Sequence, residues 1–88
     1  MYAKIVNDLL SPPDSAYAEE NRDGMVVFKG NAEGELLKFR LLDDDREVYY
    51  VGEADDESLE ALASWAERDS GCTILQTREG NRWVDTIG

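Results

Sequence analysis

Apolar positions along this chain recur with two different periods. Leu37, Phe39 and Leu41 alternate with Lys38 and Arg40, a period of two that predicts a strand with one buried face. Val48, Tyr49, Tyr50 and Val51 give a second β-prone run within Glu47 to Gly52. Neighbouring strand residues point to opposite faces, so one of Tyr49 and Tyr50 can enter the core and the other either covers sheet surface or is partly exposed as a candidate binding anchor beside the acids. Met25-Val26-Val27-Phe28 is also β-prone, and Gly30-Asn31-Ala32-Glu33-Gly34 after it supplies turn chemistry. Past residue 55 the period lengthens. Leu59, Leu62, Ala63 and Ala66 fall at i, i+3, i+4 and i+7, one apolar helix stripe that Ala61 and Trp65 widen. Asp55, Asp56 and Glu57 suit its start, where carboxylates meet free N–H groups, and Arg68 and Gly71 suit its end. Cys72 to Thr77 and Arg82 to Ile87 read as two more strands, joined by a hairpin turn at Glu79-Gly80-Asn81.

The N-terminal stretch supports two readings. Tyr2, Ile5, Val6, Leu9 and Leu10 have helical spacing, and Ala3 to Val6 fits a short strand nearly as well. Ser11-Pro12-Pro13-Asp14 ends either element, because two prolines continue neither a helix nor a central strand. Asp14 is placed to cap a short helix over Ala16 to Glu20, closing before Asp23-Gly24. The expected fold is α+β: an antiparallel sheet of four to five strands with one main helix packed on one face. Residues 1–88 form a single small domain, without internal repeat or linker.

Composition narrows the function. With 42% hydrophobic and 33% charged residues the chain is expected to be globular. A domain this small buries a modest share of its surface, so marginal stability is expected. No apolar run approaches the ~20 residues needed to span a bilayer. MYAKIVNDLL lacks the long apolar core of a signal peptide, and the single Cys72 forms no internal disulfide. A cytoplasmic location is the expectation. The absence of histidine removes Ser-His-Asp and Cys-His catalysis, and one cysteine cannot complete a His/Cys zinc site.

Charge sharpens the picture further. The net charge is −11, and residues 41–70 alone hold eleven acids against two bases. Such a chain repels nucleic acid and anionic membrane and attracts basic surfaces. A metal reading of Asp43-Asp44-Asp45 fails on spacing. Counted as a calcium loop from Asp43, the sixth position is Val48 rather than glycine and the twelfth is Ala54 rather than glutamate. An Asp-rich hairpin turn between two strands explains the run better, since aspartate accepts local backbone bonds. No phosphate-binding loop or dinucleotide fingerprint is present, so no catalytic site, metal or cofactor is expected. Trp65 and Trp83 are expected in the core.

Phe39-Arg40-Leu41-Leu42-Asp43-Asp44-Asp45-Arg46-Glu47-Val48-Tyr49-Tyr50-Val51-Gly52, with Gly71-Cys72-Thr73-Ile74 and Arg82-Trp83 further on, resembles a group of small uncharacterised proteins of bacteria, plasmids and phages. The resemblance covers about half the chain and implies a fold, with an Asp-rich turn joining two strands and a Gly-Cys-Thr strand leading into a final hairpin. In size and charge the chain is also similar to phage-encoded inhibitors of bacterial defence, including anti-CRISPR proteins, several of which mimic DNA.

The functional expectation is an acidic inhibitor that occupies a basic, nucleic-acid-binding protein surface, such as that of a defence nuclease. Asp43, Asp44, Asp45, Asp55, Asp56, Glu57, Glu60 and Glu67 would face its lysines and arginines, because a row of carboxylates can imitate a phosphate track. The alternatives are a halophilic-type acidic domain, or an antitoxin-like interaction domain, without mimicry.

Overall fold

The computed structural model describes residues 1–10 and 21–88. In chain order it contains β1 (Tyr2–Asp8), β2 (Val26–Lys29), β3 (Leu37–Leu42), β4 (Val48–Ala54), a 3-10 turn (Asp56–Ser58), α1 (Leu59–Ser70), β5 (Ile74–Glu79) and β6 (Arg82–Ile87). The six strands form one antiparallel sheet in the order β2-β1-β4-β3-β5-β6. The class is α+β with one helix, as expected, but the sheet has six strands rather than four to five. The Ser11-Pro12-Pro13-Asp14 stop and the short helix over Ala16 to Glu20 lie outside the described residues.

The additional strand is the ambiguous N-terminal stretch, and it sits inside the sheet between β2 and β4. Ala3 and Ile5 are fully buried and pair with Ala54 and Gly52 of β4. The competing helical pattern depends on Leu9 and Leu10, which are 56% and 47% exposed and belong to no core face. Two partner strands decide an element whose local pattern does not.

β4 and β5 are both antiparallel to β3 and therefore parallel to each other. Parallel strands need a crossover rather than a tight hairpin, and α1 supplies it. The helix consequently covers one face of the sheet. Its Leu59, Leu62 and Ala66 pack with Ile5, Phe39, Leu41, Tyr50 and Leu75 of the strands. Gly71 ends the helix in the left-handed region at φ 77°, and its N–H donates to the Glu67 carbonyl at 3.0 Å. Glycine adopts this conformation at little cost, which makes it a common helix terminator.

The opposite face of the sheet carries no helix among the described residues. Register places Lys4 beside Glu53 and Glu53 beside Lys38 on that face, with Arg40 opposite Gln76 and Arg78 opposite Trp83. The Lys38 and Arg40 positions that gave β3 its alternation are therefore the outward ones.

Gly52 of β4 sits tightly between β1 and the Phe39 ring of β3. A Cβ there would lie 2.1 Å from the Lys4 carbonyl oxygen and 2.7 Å from the Phe39 ring. The first neighbour is backbone and cannot rotate away. Gly52→Ala is therefore expected to lower unfolding free energy by about 1–3 kcal/mol, the usual cost of overpacking, measured by denaturant titration. An unchanged midpoint would mean that β1 and β4 are not packed this closely.

Candidate functional site

The eight acidic residues expected to form one surface divide between structural and free roles. Asp43 builds the β3–β4 turn. Its Oδ1 accepts the backbone N–H groups of Asp45 at 3.0 Å and Glu47 at 2.9 Å, and its Oδ2 accepts the Tyr49 hydroxyl at 3.1 Å. Its carbonyl accepts the Arg46 N–H at 3.0 Å. Arg46 takes a positive φ of 64°, a strained conformation for a residue with a Cβ. Its guanidinium meets both carboxylate oxygens of Asp85 at 3.0 and 3.3 Å. The turn is thus held by its own first aspartate, as the Asp-rich hairpin reading requires. Asp44 and Asp45 project to solvent, and Asp44 also accepts a bond from the Thr73 hydroxyl.

Asp55 is wholly buried, so its carboxylate does not face a partner's lysines and the residue leaves the candidate surface. It caps the 3-10 turn that leads into α1. Its Oδ1 accepts the Ser58 N–H at 3.2 Å, the Ser58 hydroxyl, and the Tyr2 N–H at 3.3 Å. Its Oδ2 accepts the Glu33 N–H at 3.1 Å and lies 3.8 Å from the N-terminal ammonium. The Ser58 bonds, helped by those from Glu33 and Tyr2 and by the ammonium, overcome burial and hold the carboxyl down to about 2. Sequence placed Asp55 correctly at a helix start and missed that capping would enclose it.

The two acidic clusters stand at opposite ends of β4. Seven residues separate Asp43–Asp45 from the helix entry along that strand, roughly 23 Å at ~3.3 Å per residue. They do not form one local cluster. The helix nevertheless runs a line of carboxylates between them. Asp56, Glu57 and Glu60 line a cleft of about 290 Å³ against Thr86 and Ile87. Glu60 and Glu67 line an adjoining cleft of about 330 Å³, together with Thr73 and Ile87. Glu60 and Ile87 belong to both clefts, and Thr73 continues the line to Asp44. No lysine or arginine lines either cleft among the described residues. Asp56, Glu57, Glu60 and Glu67 are all exposed; of these, Glu57 has an ion pair, with the N-terminal ammonium at 3.5 Å.

Asp69, outside the expected set, serves the fold. Asp69 accepts the Tyr50 hydroxyl at 3.0 Å and pairs with Arg22 at 3.0 Å. Burial pushes the Tyr50 hydroxyl up to about 12. Trp65 packs 5.9 Å from Tyr50 beside the core, as expected. Trp83 does not join that core. It is half-buried on the uncovered face, with the Arg40 guanidinium 4.7 Å and the Arg78 guanidinium 5.5 Å from its ring centroid. Sequence reading missed this cationic face. The available signal was that Lys38 and Arg40 share one parity of β3, and that a hairpin through Gly80 sets Arg78 opposite Trp83.

Among the described residues no group of three or more potential ligands could hold a metal ion, and no helix is long and apolar enough to cross a membrane. Compared with known proteins, the chain matches no family model, no curated protein and no solved structure.

Asp55 makes a pH prediction with a definite sign. An unfolded aspartate takes up its proton near pH 3.9, whereas folded Asp55 keeps its charge down to about 2. Its contribution to stability is full above about pH 4 and is lost as pH falls toward 2. Asp55→Asn is expected to be less stable than wild type at pH 7 and to show a shallower loss of stability across that window. Parallel acid-unfolding curves for the two proteins would contradict this.

Proposed function

We propose that this protein is a small acidic binding protein whose helix-borne carboxylate strip occupies a basic, nucleic-acid-binding surface of a protein target. The observation that carries the reading is the run of exposed carboxylates from Asp56 and Glu57 in the 3-10 turn to Glu60 and Glu67 on α1, with Thr73 beyond them bonded to Asp44 beside Asp45. Glu60 and Glu67 are seven residues apart on the same helix face, about 10 Å along the axis. That rise matches roughly three steps of one DNA strand at ~3.4 Å each. The strip is therefore spaced to engage cations that otherwise hold phosphates. Asp43 and Asp55 contribute by fixing the turn and the helix entry, not by direct contact. The protein is proposed to act in the cytoplasm, without catalysis of its own, as an inhibitor of the anti-defence type.

A halophilic-type surface would be acidic on every side. Here Lys4, Lys38, Arg40 and Arg78 gather on the face remote from the strip, which favours a directed acidic surface over general salt adaptation.

The test uses wild type and two charge-reversal variants as bait for bacterial nucleic-acid-binding proteins, followed by purified binding assays. Glu57→Lys/Glu60→Lys/Glu67→Lys is expected to weaken target binding at least about tenfold, and Asp44→Lys/Asp45→Lys by less. Wild-type binding is expected to weaken steeply with salt, and duplex DNA is expected to compete for the same target site. Unchanged affinity in both folded variants, or simultaneous binding of DNA and protein to the target, would refute the reading.

A further inference from the structure

The uncovered face of the sheet has chemistry opposite to that of the helix side. A cleft of about 330 Å³ crosses it, lined by the apolar Val6, Val51 and Trp83, by Gly52, and by the charged Lys38, Arg78 and Glu53. Its lining comes from five consecutive strands of the sheet: β1, β4, β3, β5 and β6. Four inter-strand spacings of ~4.8 Å make it roughly 19 Å long, the span of about six extended residues. Among the described residues Lys38 and Arg78 have no ion pair; Arg78 donates its Nε to the Gly80 carbonyl at 2.9 Å and stands 5.5 Å from the Trp83 ring centroid. Arg40, by contrast, is committed through its Nε to Gln76 at 2.5 Å, and Gln76 to Asp85 at 2.6 Å. Val6 is 42% exposed on this face, the outward position next to buried Ile5, where the β1–β4 register shifts between Ile5 and Asn7.

The shortest dimension of the molecule is 25 Å, about three Debye lengths at physiological ionic strength. The acidic helix side therefore does not cancel the local field of the sheet face. We propose that this face is a second docking surface, which takes an acidic segment of a protein partner. An apolar side chain of that segment seats against Trp83, flanking carboxylates meet Lys38 and Arg78, and the rest of the segment runs toward Val51 and Val6.

Three features favour that occupant. The cleft lies at the lower end of the size range of ligand pockets and is open along its length. A small molecule would stay largely wet there, whereas a partner's side chain is covered by the rest of the partner. A nucleic-acid strand carries charge at every step and would meet Glu53 and Asp85 on the same face; a segment with two carboxylates matches Lys38 and Arg78, the two cations that line the cleft. A half-exposed tryptophan beside arginine is also the composition in which interface binding energy concentrates. The inference does not depend on what the helix strip binds.

The test is selection of short random-sequence peptides on the intact protein, with binding of the selected peptides followed by fluorescence anisotropy of a dye carried on the peptide. The expected result is enrichment of Asp and Glu around one leucine or aromatic residue. Binding of those peptides should fall about tenfold or more in Lys38→Glu/Arg78→Glu and in Trp83→Ala, and should be unaffected by Glu60→Lys/Glu67→Lys. If charge reversal disturbs the fold, Lys38→Gln/Arg78→Gln is the substitute and should weaken binding in the same direction. Selected peptides without acidic bias, or binding equal in wild type and the neutralised variant, would overturn the proposal. So would tight, Lys38- and Arg78-dependent binding of single-stranded oligonucleotide or of a small aromatic carboxylate in place of peptide, or self-association of the wild type that the same variants abolish.

Discussion

One buried carboxylate ties together the parts of this fold that are far apart in sequence. Asp55 binds the backbone of Tyr2 at the start of β1, of Glu33 in the loop before β3, and of Ser58 at the entry to α1. Tyr2 returns the contact, its carbonyl accepting the Asp55 N–H at 3.0 Å and its own N–H reaching the Ser58 hydroxyl at 3.0 Å. A charge in this position is tolerated only because its oxygens are occupied by donors. That junction fixes where the helix begins, hence the line it takes across the sheet. The exposed carboxylates of α1 inherit their placement from it.

The acidic excess of the chain therefore has two physical meanings. Asp43, Asp55, Asp69 and Asp85 each accept hydrogen bonds from within the molecule, at the turn, the helix entry, the helix end and the uncovered face. Glu60 and Glu67 have no ion pair among the described residues and stand in clefts without a basic residue. Glu67 also sits near the helix C-terminus, where the helix dipole disfavours negative charge. No described residue forms an ion pair with its carboxylate there.

Much of this was legible in the sequence where local pattern and tertiary environment agree. The Leu37-Phe39-Leu41 alternation, the Leu59-Leu62-Ala66 stripe, the Gly71 terminator and the Gly80 hairpin all follow from periods and turn chemistry, and all are present. β1 was ambiguous because its alternation is short and the adjacent Leu9 and Leu10 imitate a helical face; pairing on both edges settles it, and pairing is a long-range property. The site was half legible. Charge counting found the acidic block but could not separate Asp55, which capping buries, from Glu60, which solvent surrounds, because both are simply acids near a helix start. The cationic face was invisible for a related reason: Lys4, Lys38, Arg78 and Trp83 are scattered in sequence and meet only through the strand order.

The central claim is that the helix strip is spare to the fold, while Asp55 belongs to it. Unfolding free energy of Glu60→Gln/Glu67→Gln, measured at low and high salt, tests this directly. Removing two charges that have no ion pair among the described residues should leave stability within about 0.5 kcal/mol of wild type or raise it, with any gain shrinking as salt screens the remaining repulsion. A loss of more than about 1 kcal/mol at both salt concentrations would mean that these carboxylates hold the structure together, and that the division between structural and recognition acids is wrong.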